Sequence, residues 1–267
     1  MVKNLGKYIS VGYRFMVNAL KRDLMIPGKS LVHILVEVVM VAIMLIYFQV
    51  IFNNTQSIGG WNYYQTISMY FIARVMFDTD QALTRSGLRM LIKGLVREGD
   101  LDFFLIKPMD SMFMVAMHKP QIYKLLTAFA NLVLAIYFAN KTGIALHVGN
   151  YVWFALLIVV GLVLYFCLNL ITLIPVFWFI RLQSLKDIIG KLSTAMRYPA
   201  AIYPTSMRFV FYFVIPILVI TYIPAETLFY PPSILNIGYA IIITGIFFVL
   251  TRKLWKIGLI KYNSASS

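Results

Sequence analysis

The sequence predicts an all-α polytopic membrane protein with six transmembrane helices, and three observations predict it. Only 13% of the 267 residues are charged and 61% are apolar, against about 25% charged in soluble domains. The apolar residues come in blocks. Leu31 to Phe52 runs 22 residues with Glu37 as its one carboxylate, enough helix to cross a hydrocarbon core of roughly 30 Å. The basic residues alternate with those blocks in a way that sorts them to one side.

Apolar runs and their breaks place spans at 31–52, 60–77, 121–140, 151–179, 207–223 and 234–250. The second has polar residues through its first half, but Trp61, Tyr63 and Tyr64 at its start suit an aromatic interface belt. With the N-terminus inside, six Lys or Arg fall in 1–30, seven in 79–124, five in 181–208 and four in 251–267. Lys141 alone falls on the other side and Arg74 within a span. The positive-inside rule therefore puts both termini in the cytoplasm. It also accounts for the net charge of +14 as topology, with anionic lipid headgroups rather than nucleic acid as the partner.

Before the first span, Leu5, Ile9, Gly12, Met16, Ala19 and Leu20 share one helical face, and Lys7, Arg14, Asn18, Lys21 and Arg22 take the other. That pattern predicts an amphipathic helix on the cytoplasmic leaflet, and six basic residues with no apolar run in 1–30 give no signal peptide. A second such stripe, Leu182, Leu185, Ile188, Ile189, Leu192 and Met196, follows the fourth span with Lys186 and Lys191 outside it. The loops 53–59, 141–150 and 224–233 are too short for an external domain, so any soluble machinery is a separate chain. The closing "NSASS" reads as a disordered tail.

Several chemistries are absent. "PGKS" at Pro27 to Ser30 looks like the end of a phosphate-binding loop, but Asp23 stands where that motif needs its first glycine. A turn with Ser30 capping the first span accounts for it better. His33, His118 and His147 fall in three places that cannot share a metal, so no metal site is expected. Cys167, the single cysteine, excludes an intramolecular disulfide and reads as a small buried apolar residue. No HExxH, GxSxG or paired intramembrane carboxylates occur, so no catalytic residue is assigned.

Two ionisable residues lie within spans, Glu37 roughly 9 Å and Arg74 roughly 5 Å from the cytoplasmic ends. They are placed to pair across adjacent helices, as a structural ion pair. Glu37 as a proton site, with His33 one turn earlier, is the alternative.

The most charged stretch is "LVREGDLDFFLIKPMD", Leu95 to Asp110. Gly99 can end the preceding helix, Asp100 can cap a short new one, and Pro108 ends it. This pattern resembles the membrane subunits of ABC-2-type transporters, in which a short coupling helix between spans 2 and 3 docks on the ATPase. "RYPAAIYP" at Arg197 to Pro204 and "FVIPILVITYIPAETLFYPP" at Phe213 to Pro232 resemble the fifth-span region of prokaryotic ABC-2 permeases that have about 260 residues and no ATPase domain. The resemblance implies a coupling element formed by Glu98, Gly99, Asp100, Leu101, Asp102, Leu105 and Pro108, within a cytoplasmic region 79–120. It further implies a second permease subunit, a separate ATP-binding subunit that carries ATP and Mg, and a prokaryotic plasma membrane. The expected function is the permease of an ATP-driven exporter of an amphipathic or hydrophobic compound. The rivals are a proton-coupled carrier using Glu37 and a non-transporting membrane scaffold.

Overall fold

The apolar runs become helices in the structure, a computed structural model that describes residues 2–25, 27–144, 147–179 and 193–262. Helix α1 (Val2–Met25) is followed by α2 (Pro27–Asn54) and α3 (Tyr63–Asp80). The short helices α4 (Ser86–Met90), α5 (Asp102–Leu105) and α6 (Ser111–Ala116) precede α7 (Ile122–Asn140) and α8 (Val148–Leu173). Then come α9 (Thr205–Phe209), α10 (Ile217–Phe229) and α11 (Ile234–Lys261). Among the described residues, four segments are long and apolar enough to cross a membrane: Leu31–Asn54, Ile122–Asn140, Val148–Phe177 and Ile234–Lys261.

The helix α3 has 18 residues, about 27 Å of length, and carries Arg74, Asp78 and Asp80. It is the central element, with most of its side chains buried. Its start is fixed by a capping box in which Asn62 accepts from the Gln65 amide and Gln65 returns the bond to the Asn62 amide, both at 2.9 Å. Against it lies α7, whose Ala128, Ala135 and Ala139 are buried and let the backbones approach. Ser68 Oγ there donates to the Ala135 carbonyl at 2.8 Å. By contrast α2 is nearly bare: Val32, Val38, Ile43 and Ile46 are exposed, and Phe48 is its one fully buried large side chain.

Four expectations need correction. The span expected at 207–223 does not exist as one helix, because Thr205–Val214 and Ile217–Phe229 meet at 98°. Pro216 at this break has no N–H to continue the ladder. Residues 193–203, expected at the cytoplasmic end, instead run along the side of the bundle. The Met196 carbonyl accepts from Thr221 Oγ1 at 2.9 Å, the Tyr198 hydroxyl meets that of Tyr47 at 3.3 Å, and Ala201 packs at the Gly59 turn between α2 and α3. The last span does not stop at 250; its helix, α11, continues to Lys261 and buries Trp255. Finally, α2 begins at Pro27, a residue that loses nothing at a helix start, which puts Ser30 inside the helix rather than at its cap. The stripe at 182–192 and the final "NSASS" lie outside the described residues.

Polar groups close the far end of the bundle. Asn150, in the first turn of α8, donates to the carbonyls of Thr227, Leu228 and Tyr230 at 3.1, 3.3 and 3.1 Å, satisfying the open C-terminus of α10. At the opposite end, Phe177 packs against Trp255 and Tyr262. Between the two, Met76, Leu164, Tyr165 and Ile217 belong to one apolar core.

Candidate functional site: the coupling region and the ion network behind it

Helix α3 does not end at Asp80. Gln81–Arg85 and Leu91–Leu95 are π-helical and flank α4, and the residues bounding each piece keep right-handed helical angles. One continuous rod therefore leads from the middle of the bundle to Leu95. Widened turns of this kind re-aim side chains, and here Arg85 turns inward to Asp80 and Tyr165. Gly99 breaks the rod with φ +83°, a conformation costly for residues with a Cβ. The Leu101 amide then donates back to the Leu95 carbonyl at 2.8 Å.

The coupling helix expected over Gly99 to Pro108 is a single turn, Asp102–Leu105. Asp100 does not cap it: Leu101 occupies the cap position and makes no side-chain bond there. The reason is the break itself, since the backbone bonds from Asp102 to Gly99 and from Phe103 to Asp100 use up the entry turn. Leu101 and Phe104 are buried and hold the turn to the protein, whereas Phe103 is 65% exposed and Ile106 78%. Leu105 is partly exposed beside them, with Glu98, Asp100 and Pro108 at the rim. Glu98 folds back over Gly94.

Helices from both ends of the chain brace this turn. From α1, Lys7 Nζ donates to the Pro108 carbonyl at 3.1 Å and the Tyr8 hydroxyl accepts the Asp110 amide at 3.2 Å. Arg22 reaches the Pro120 carbonyl, and Asp23 accepts the Ile122 amide at 3.0 Å, capping α7 from outside. From α11, Arg252 pairs with Asp110, itself the cap of α6, and Trp255 donates to Ser111 Oγ at 3.1 Å.

Behind the turn, Glu37 and Arg74 form an ion pair, but neither is alone. Lys124 lies 3.6 Å from Glu37 and 3.5 Å from Asp78, Arg74 lies 3.4 Å from Asp78, and Asn131 donates to Asp78 at 2.9 Å. Two carboxylates and two cations balance, which is what burial of charge requires. Two residues further, Asp80 accepts from Thr84 at 2.6 Å and from Asn169 at 3.2 Å and faces Arg85 at 4.0 Å. Phe77 lies between the groups, with the Arg74 and Arg85 guanidiniums 5.5 and 4.8 Å from its ring. Sequence reasoning missed Asp78, Asp80, Arg85, Lys124, Asn131 and Asn169. Ending the second span at Phe77 hid the first three. The signal was present in the i,i+4 spacing of Arg74 with Asp78 and of Asp80 with Thr84.

The network ties α2, α3, α7 and α8 to the rod that carries the turn. No group of His, Cys, Asp and Glu among the described residues is arranged to hold a metal. A family model described as ABC-2 family transporter protein matches residues 38–266. The chain belongs to that family. Searches of curated proteins and of solved structures gave no match. As an ABC-2 family member it is a multi-pass membrane transport component.

Proposed function

We propose that the chain is the permease subunit of an ATP-driven exporter, energised by a separate ATP-binding subunit that carries ATP and Mg. The observation that carries this reading is the turn at Asp102–Leu105, which presents Phe103 and Ile106 to solvent while Leu101 and Phe104 anchor it. Such a tip gives a partner an apolar knob, and Glu98, Asp100 and Lys107 around it supply specificity. A push on the knob travels through the helical rod to Arg85, Arg74 and hence to α2, α7 and α8.

The chain crosses the membrane six times in this reading. Helices α2, α3, α7, α8 and α11 account for five crossings. The sixth lies between Phe177, at the Trp255 end of α11, and Ser233, at its other end, with residues 193–203 climbing the side of the bundle. The pair α9 and α10 then dips in from the far end and returns. Six crossings put both termini on one side, and the basic residues of α1, 79–124 and α11 make that side cytoplasmic.

The middle of the described bundle is filled by Phe71, Met76, Leu164 and Tyr165, all without exposure, which leaves no path among the described residues of one chain. Substrate, an amphipathic or hydrophobic compound, therefore passes between two permease subunits, identical or related. The proton-carrier alternative loses support from the geometry, because Glu37 is held by two cations. Affinity purification of the chain from its native membrane tests the reading: an ATP-binding protein should co-elute, and Phe103→Ser with Ile106→Ser should release it.

A further inference from the structure

At the far end, where α2 ends and α3 and α7 meet it, lies an open cleft of about 910 Å³. We propose that it binds an anionic, hydroxyl-rich ligand, of the sugar phosphate or uronic acid class, either free or as the headgroup of a lipid. Five carboxamides line it: Gln49, Asn53, Asn54, Gln56 and Asn62. A carboxamide offers two donors and an acceptor with two lone pairs, the complement of vicinal hydroxyls. Their local bonds leave most of that capacity open. Gln49 gives one donor to Asn53, Asn54 gives one to the Val50 carbonyl, and Asn62 accepts one bond from Gln65.

Three rings, Phe52, Tyr63 and Tyr64, complete the wall, and rings give the C–H faces of a pyranose an apolar surface to lie on. The charge of the ligand follows from Lys141. In the stretches 55–62, 141–147 and 230–233, which join helices at this end, it is the one Lys or Arg, and it borders the cleft. The lining contains no carboxylate, so nothing repels an anion. Inorganic phosphate alone would leave the carboxamides idle, and an apolar ligand would bury them without partners. The volume lies near the top of the usual range of ~300–1,000 Å³, room for more than one sugar ring.

The test uses the full chain purified in a polyoxyethylene detergent, since a sugar-headed detergent would compete. Calorimetric titrations with glucose 1-phosphate and glucuronate should give saturable binding, at least about tenfold tighter than glucose or inorganic phosphate. Lys141→Gln should abolish the advantage over glucose. Tyr64→Ala and Gln56→Ala should weaken all the sugars, and Gln56→Ala should do so with the melting temperature unchanged, because its side chain is exposed. Absence of saturable binding by either sugar acid, equal affinity for inorganic phosphate, or indifference to Lys141→Gln would overturn the proposal. Repeating the titration in nanodiscs assigns the source: competition by phosphatidylinositol marks a lipid-borne headgroup, and unchanged affinity a free ligand. Binding in detergent needs neither ATP, nor orientation, nor a partner, so its failure leaves the transporter reading untouched, and the reverse holds too.

Discussion

Single residues carry the internal charge balance. Glu37→Gln leaves Arg74 and Lys124 facing Asp78 alone, one uncompensated buried charge, and should cost roughly 3–5 kcal/mol of stability. Adding Arg74→Gln should restore part of that loss, and thermal unfolding in detergent of the two single variants and the double variant reads the coupling. Gly87 shows a different constraint. A Cβ there would stand 2.1 Å from the Val115 carbonyl oxygen, backbone that cannot swing away, so Gly87→Ala should lose about 1–3 kcal/mol in the same assay. At His118, burial first, and then Lys119, Lys107 and Arg22, hold the imidazole below its ordinary value of 6.5. A lowered base binds its proton less readily when folded, so its contribution is present above pH 6.5 and is lost as pH falls towards the folded value. The melting temperature should drop over that window, and His118→Gln should flatten the drop. Sequence alone exposed Glu37 and Arg74 because each interrupts an apolar run. It hid Asp78, Asp80 and Lys124, which sit where a run shades into a loop and look solvated until helical continuity past Phe77 is seen.

At the scale of elements, the turn at Asp102–Leu105 divides into an anchor and a face. Phe104 lies under the Lys107 ammonium, 5.4 Å from its ring centre, with the His118 ring edge-on at 4.9 Å. Phe104→Ala should therefore destabilise the protein by about 3–5 kcal/mol. Phe103→Ser should change stability by less than about 0.5 kcal/mol yet lower ATP-dependent transport in vesicles. Equal effects of the two on stability would remove the distinction between anchor and face. The position of this segment was legible from Gly99 and Pro108, residues that favour a helix boundary. Its length was not: where a one-turn helix begins depends on backbone bonds such as Leu101 to Leu95, and side-chain types do not encode them. The same holds for α1. Its amphipathic pattern was plain, but not that Lys7 and Tyr8 would grip the loop at Pro108 and Asp110, more than a hundred residues away in sequence. The region 207–223 misled because hydropathy is blind to a bend, and Pro216 reads in a sequence as easily as a kink as a break of 98°.

For the whole molecule, the blocks of hydropathy were enough to reach helices and membrane, and the stretches Leu95 to Asp110 and Arg197 to Pro232 were needed to reach the family. They said nothing of how the chain between α8 and α11 packs, where the neighbours of Arg197, Met196 and Tyr198, lie against Thr221 and Tyr47. The proposed function gives this transport component a second copy for a path and a partner for energy, the partner meeting the exposed Phe103 and Ile106. The most direct measurement is site-specific crosslinking in native membranes, with single cysteines at Phe103 and Ile106 in a Cys167→Ala background. The account predicts crosslinks from both positions to a soluble ATP-binding protein, formed more efficiently than from cysteines placed at Lys253 or Lys256. Efficient crosslinking from 253 and 256 with none from 103 and 106 would contradict it, and would move the docking surface to the end of α11.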